Sequence, residues 1–164
     1  MSQPSYEGRC HCGAIGFTYR TAMPGERWSI RTCQCTFCRL HDALSTSDPQ
    51  GGLEFSIREP RQLQRYRFGG RTADFLLCRH CGVYVGAQMI AGDRAFGIIN
   101  VHALREPPPG RPPAVAMSYD GESASERQQR PDEAGDALTL ALEVAEKPVP
   151  GLRVVLGAGL ENLD

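Results

Sequence analysis

Cys10-His11-Cys12-Gly13-Ala14-Ile15-Gly16-Phe17-Thr18-Tyr19-Arg20 holds the two features that decide the fold, a close cysteine pair ending on glycine and an alternating strand. Successive side chains of a strand point to opposite faces, so Ile15, Phe17 and Tyr19 share one side of a half-buried sheet. The same period of two puts Cys10 and Cys12 on one side, where two sulfurs can share one ion. A second pair, in Cys78-Arg79-His80-Cys81-Gly82, forms a knuckle whose glycine permits a tight backbone that points amides at the sulfurs. Zinc takes tetrahedral thiolate, and close cysteine pairs supply two ligands each. Two such pairs from distant parts of the chain close one four-thiolate site that staples a small β domain.

Working outward, further strands are expected at Trp28 to Thr32, Leu53 to Ile57, Leu63 to Phe68 and Ala73 to Leu77, with Gly69-Gly70 as a turn. Val83 to Met89 and Arg94 to Val101 read as two more, turned at Ala91-Gly92-Asp93. About eight short strands at this spacing predict a mainly β protein, a sheet sandwich or open barrel. Gly 18 and Pro 12 in 164 residues agree with short strands joined by turns.

The character changes after Leu104. Pro107, Pro108, Pro109, Pro112 and Pro113 predict an extended linker. Asp120 to Asp136 is polar, with Ser123 or Ser125 as helix caps before Glu126. Ala137 to Ala145 is apolar enough to pack back on the core, and Leu152 to Leu156 is a candidate edge strand. The expected division is a zinc-binding β domain over 1–105 and a Pro-rich linker with an accessory C-terminal extension over 106–164.

No stretch approaches the roughly 18 apolar residues of a membrane span. Met1-Ser2-Gln3-Pro4-Ser5 has neither the basic head nor the apolar run of a signal peptide, so a cytoplasmic setting with reduced thiols is expected. The seven cysteines are an odd number, unlike a closed disulfide framework, and favour metal ligation. A formal charge of −1 gives no electrostatic case for nucleic acid or an anionic membrane. Lys147 is the one lysine, and codon bias accounts for the arginine excess as readily as a need for carboxylate-binding forks. Nothing in the sequence specifies an oligomeric state.

The middle cluster, Cys33-Gln34-Cys35-Thr36-Phe37-Cys38-Arg39, has three cysteines and no fourth. Cys33, Cys35 and Cys38 fit within one turn and can cover one face of a tetrahedron, which leaves a position open for chemistry. The rival reading is that His41, three residues on, closes a Cys₃His site. An iron–sulfur cluster would ordinarily need a fourth cysteine. Three thiolates overcompensate Zn²⁺ and leave a weak Lewis acid, better matched to a soft incoming thiol than to water. The chemistry expected from the residues is therefore sulfur chemistry, a small thiol meeting a carbonyl.

The order C-x-C-G, C-x-C-x-x-C-R, C-x-x-C-G resembles the family of glutathione-dependent formaldehyde-activating enzymes, which also includes centromere protein V. The resemblance spans roughly Gly8 to Leu104 and includes Gly8, Gly13, Arg39 and Gly82. It implies a β-tent fold of the Mss4-like type, with a structural zinc on Cys10, Cys12, Cys78 and Cys81. It implies a second zinc on Cys33, Cys35 and Cys38, two per chain in all, and a carbon–sulfur lyase reaction joining glutathione and formaldehyde in S-hydroxymethylglutathione. The wider Mss4-like group includes methionine sulfoxide reductases, which need a redox cysteine outside the zinc ligands; here none is spare. A non-catalytic zinc scaffold for protein or nucleic acid is the alternative from another class.

Other residues carry two readings each. Arg61, Arg65, Arg67 and Arg71 suit the carboxylates of a peptide thiol, or form a solvated strand face. Arg39 adjoins Cys38 and could offset thiolate charge. His41 is a ligand or an acid near the carbonyl, and Asp42 an acid/base or a local cap. His11 and His80 read as exposed spacers in their knuckles, and His102 as a possible proton shuttle. Trp28, Tyr66 and Phe68 read as core or rim aromatics.

Overall fold

The computed structural model describes residues 3–91, 94–123, 125–126 and 155–156. Strands β1 (Ser5–Arg9), β2 (Ile15–Arg20), β3 (Arg31–Cys33), β4 (Ser45–Thr46), β5 (Gly52–Ile57), β6 (Leu63–Tyr66), β7 (Ala73–Cys78), β8 (Tyr84–Ala91), β9 (Arg94–Asn100), β10 (Val115–Met117) and β11 (Val155–Leu156) make two sheets. One has the order β1-β2-β5-β11 and the other β10-β3-β4-β9-β8-β7-β6. A short α-helix, α1 (Thr36–Leu40), follows β3.

Alternation builds the core as expected. Leu53, Phe55 and Ile57 of β5 point inward beside Ile15, Phe17 and Tyr19 of β2. They meet Leu76, Val85 and Ile99 of the larger sheet in one buried cluster that also takes in Cys10 and Cys78. Trp28 is held edge-on by Tyr6 and Tyr19, with ring centroids 5.0 and 5.3 Å away, so its reading as a core aromatic holds.

Gly8 faces Phe17 across the β1–β2 ladder. A Cβ at Gly8 would stand 2.1 Å from the Phe17 ring, and Phe17 is itself buried. Gly8→Ala should therefore lower stability by about 1–3 kcal/mol through overpacking, seen as a lower urea midpoint at unchanged slope.

Several boundaries differ from the sequence expectation. The strand expected from Trp28 to Thr32 runs from Arg31 to Cys33, because Trp28 caps a 3₁₀ turn over Gly25–Arg27. Cys10 and Cys12 lie past the end of β1, in a turn rather than on one strand face. Beyond residue 105, β10 runs parallel to β3 and β11 parallel to β5, so the extension contributes one strand to each sheet. Ser123 is the cap before Glu126: its hydroxyl accepts from the Glu126 amide at 3.2 Å and the Glu126 carboxylate accepts from the Ser123 amide at 2.7 Å. The turn at Gly92-Asp93, most of Asp120 to Asp136 and all of Ala137 to Ala145 lie outside the described residues. No helix among the described residues is long and apolar enough to cross a membrane.

Candidate metal centre

The first cysteine site is built from two hairpin ends. Between β1 and β2, the Gly13 amide donates to the Cys10 carbonyl at 3.1 Å, and the Ile15 amide points at Cys10 Sγ at 3.4 Å. Gly13 takes the left-handed backbone, φ +82°, that turns the chain back. The β7–β8 knuckle repeats the device: the Gly82 amide donates to the Cys78 carbonyl at 2.8 Å, and Gly82 has φ +77°.

These turns bring four sulfurs together. Cys10 and Cys12 stand 3.7 Å apart and Cys12 and Cys78 3.5 Å apart, and all four sulfurs including Cys81 lie within 4.8 Å of one another. A tetrahedron with metal–sulfur bonds of about 2.3 Å has edges of about 3.8 Å. The donor set therefore fits zinc. Burial pushes the Cys10 thiol up and the Cys78 thiol up to about 12. Burial acts on Cys81 too, but amides of Cys12 and Val83 and the neighbouring thiols outweigh it and hold Cys81 at about 6. A divalent cation would supply the counter-charge that such a crowd of thiolates calls for.

The second site sits at the β3–α1 junction. Cys33 ends β3, Cys35 is the N-cap of α1 and accepts from the Cys38 amide at 3.4 Å, and Cys38 is buried one turn into the helix. The three sulfurs lie within 4.8 Å of one another, which again fits a thiophilic cation. The Cys33 thiol and burial push Cys38 far above the usual thiol range. Strand β10 secures this junction: Met117 pairs with Cys33, and the Gln34 amide donates to the Met117 carbonyl at 2.9 Å.

His41 does not join that donor set. It caps the end of α1, with its ring 4.4 Å from Phe37 and 5.9 Å from Tyr84. The closed Cys₃His reading thus lacks its histidine in this geometry. Arg39 is exposed on α1, with no side-chain hydrogen bond or ion pair among the described residues. Arg67 is bound by Asp74, its Nε donating to Oδ1 at 2.5 Å, while Arg61 and Arg71 are exposed and Arg65 is half-buried. His11 and His80 are exposed, in keeping with a spacer role.

Sequence reasoning missed two parts of this region. Phe37, inside the cysteine motif, is the hub of an aromatic cluster: Phe68 and Tyr66 stack on it at 5.1 and 5.7 Å, while Phe75 and Tyr84 meet it edge-on at 4.8 and 5.3 Å. Tyr84 is buried, and its hydroxyl has no hydrogen-bond partner among the described residues. Burial pushes that phenol well up, as do the nearby Cys38, Cys33 and Cys35. A cleft of about 450 Å³ runs from α1 to the second knuckle, lined by His41, Asp42, Cys81, Gly82, Tyr84 and His102. His102 Nε2 lies 3.8 Å from Asp42 Oδ2 at its rim.

Asn100 ties this region together. Its amide nitrogen donates to the Tyr84 carbonyl at 2.9 Å, and its oxygen accepts from the His102 and Leu44 amides at 3.2 and 3.4 Å. Asn100→Ala leaves the buried Tyr84 carbonyl and two part-buried amides without this partner and should cost about 1–3 kcal/mol, measured by chemical unfolding.

Comparison with known proteins agrees with this geometry. The family model described as glutathione-dependent formaldehyde-activating enzyme matches residues 5–119. A crystal structure of a Rhodobacter sphaeroides protein is 31% identical, with a TM-score of 0.50, over 63% of this chain and 91% of that one. No curated protein matches the chain.

Proposed function

Since the chain belongs to the glutathione-dependent formaldehyde-activating enzyme family, we propose that it joins a small thiol, glutathione or a relative, to an aldehyde such as formaldehyde. The reaction is that of a carbon–sulfur lyase run in either direction. Thiol and aldehyde give a hydroxymethyl thioether with no redox change.

The observation that carries this reading is the convergence of three sulfurs, and only three among the described residues, at the β3–α1 junction. Cys33, Cys35 and Cys38 would hold a second zinc there, and Cys10, Cys12, Cys78 and Cys81 a structural one. When bound, zinc at a three-thiolate site favours the thiolate form of an incoming thiol. The protein groups around it then do the rest. Phe37 and Phe75 form an apolar wall that limits water. His41, packed on the Phe37 ring, would pass a proton between solvent and the product oxygen. Arg39, exposed beside Cys38, offers a fork to a carboxylate of the thiol. A cytoplasmic setting, where thiols stay reduced, belongs to the same proposal.

The direct test is exchange spectroscopy of ¹³C-formaldehyde with glutathione, with and without the zinc-loaded protein. Faster exchange between free aldehyde and adduct is the expected result. Exchange at the spontaneous rate with glutathione and with other small thiols would refute the reading.

A further inference from the structure

One group beside the three-cysteine site has no task in that scheme. Tyr84 is 2% exposed, and its hydroxyl finds no partner among the described residues. Its side chain packs with Cys38, Ala43 and Ala87, in a cluster that Cys33, Cys35 and Phe37 also touch. Asn100 fixes its carbonyl at 2.9 Å and Phe37 meets its ring edge-on at 5.3 Å, so the phenol is held rather than free to seek a partner elsewhere.

A buried donor left unpaired destabilises the free protein, and a ligand that brings an acceptor removes that cost. The addition of a thiol to an aldehyde creates such an acceptor. We infer that the Tyr84 hydroxyl is the hydrogen-bond donor to the aldehyde-derived oxygen, which makes Tyr84 a catalytic residue of the proposed reaction. This inference rests on that reading and assigns its missing oxygen-binding group.

In the step, a sulfur electron pair forms the carbon–sulfur bond and the C=O π pair moves onto oxygen. The proton given up by the thiol returns to that oxygen, so nothing is left over. Between those events the oxygen carries negative charge close to three thiolates, which repel it. A neutral, preorganised O–H at that point offsets the repulsion without surrendering its proton. Single donors of this type are worth on the order of 10²–10³ in rate.

Tyr84→Phe keeps the ring and removes only the hydroxyl. Two probes, ethanethiol and 2-mercaptoethanol, are titrated calorimetrically into the zinc-loaded full chain. The wild type should bind 2-mercaptoethanol about tenfold more tightly than ethanethiol, the worth of one hydrogen bond, and Tyr84→Phe should bind the two equally. Adduct exchange should fall on the order of 10²-fold, with zinc content unchanged and the melting temperature unchanged or higher. Equal binding of both thiols by the wild type, or a preference that survives in Tyr84→Phe, would overturn the assignment alone. Loss of zinc in Tyr84→Phe would also overturn it, by placing the hydroxyl among the metal's own partners. If neither thiol binds the wild type, the thiol–aldehyde reading fails and this inference with it.

Discussion

Cys78→Ser is expected to abolish cooperative unfolding and leave a chain without its β-sheet signal at 25 °C. Cys78 ends β7, is buried in the central cluster, and lies 3.5 Å from Cys12 in the β1–β2 turn. Its site therefore links the four-stranded sheet to the seven-stranded one. Binding free energies of structural zinc in small folds are about 10–16 kcal/mol, whereas the net stability of a domain is about 5–15 kcal/mol. Serine is a poor zinc ligand, and the buried Cys10 thiol keeps its burial cost. Far-ultraviolet circular dichroism and zinc analysis of the purified variant check this. A variant that still melts in one transition near the wild-type temperature would show that the hydrophobic core alone holds the sheets together.

Cys35→Ser should have the opposite profile. Cys35 is the N-cap of α1, and serine is among the best N-cap residues, so the helix start survives the change. The sulfur is lost from the three-thiolate set, but Cys33 and Cys38 remain. The expected result is one zinc per chain instead of two, a melting temperature within a few degrees of wild type, and loss of adduct exchange by at least about 100-fold. Even partners of metal ligands are worth 10–100-fold, so a ligand itself should exceed that range. Collapse of the fold in Cys35→Ser would instead make the second cluster structural. The contrast between these two variants separates the sites more sharply than either variant alone.

What the sequence revealed follows the range of the interactions involved. The alternation of β2, β5 and β7 is a local property and was readable from Ile15-Gly16-Phe17-Thr18-Tyr19 and its counterparts. The two cysteine groups were readable because ligand spacing is also local, and the structure brings the same residues together. Strand β1 escaped notice because Gly8 is its one buried residue. Strand β10 escaped because Val115, Ala116 and Met117 follow a proline-rich stretch and keep mostly exposed side chains; only the register against β3 makes them a strand. Helix α1 is five residues long, too short for a period of 3.6 to register, and it owes its start to the Cys35 cap.

The same distinction holds at the site. His41 stood three residues from Cys38, a spacing that permits ligation, but the helix end turns its ring onto Phe37. Sequence proximity therefore overstated His41 as a ligand. Tyr84 carried no local signal at all. It lies 46 positions after Cys38 in the sequence, on β8, and only the packing of β8 against the β3–α1 junction brings it to the sulfurs.

The most direct measurement is zinc-edge X-ray absorption on protein loaded with two equivalents of zinc per chain, before and after glutathione is added. Four sulfurs at one site and three at the other give an average of about 3.5 per zinc in the free protein. Glutathione should raise that to about 4, with sulfur at about 2.3 Å and loss of the lighter scatterer. An average of 3.5 that glutathione leaves unchanged would contradict a thiol-binding position at Cys33, Cys35 and Cys38.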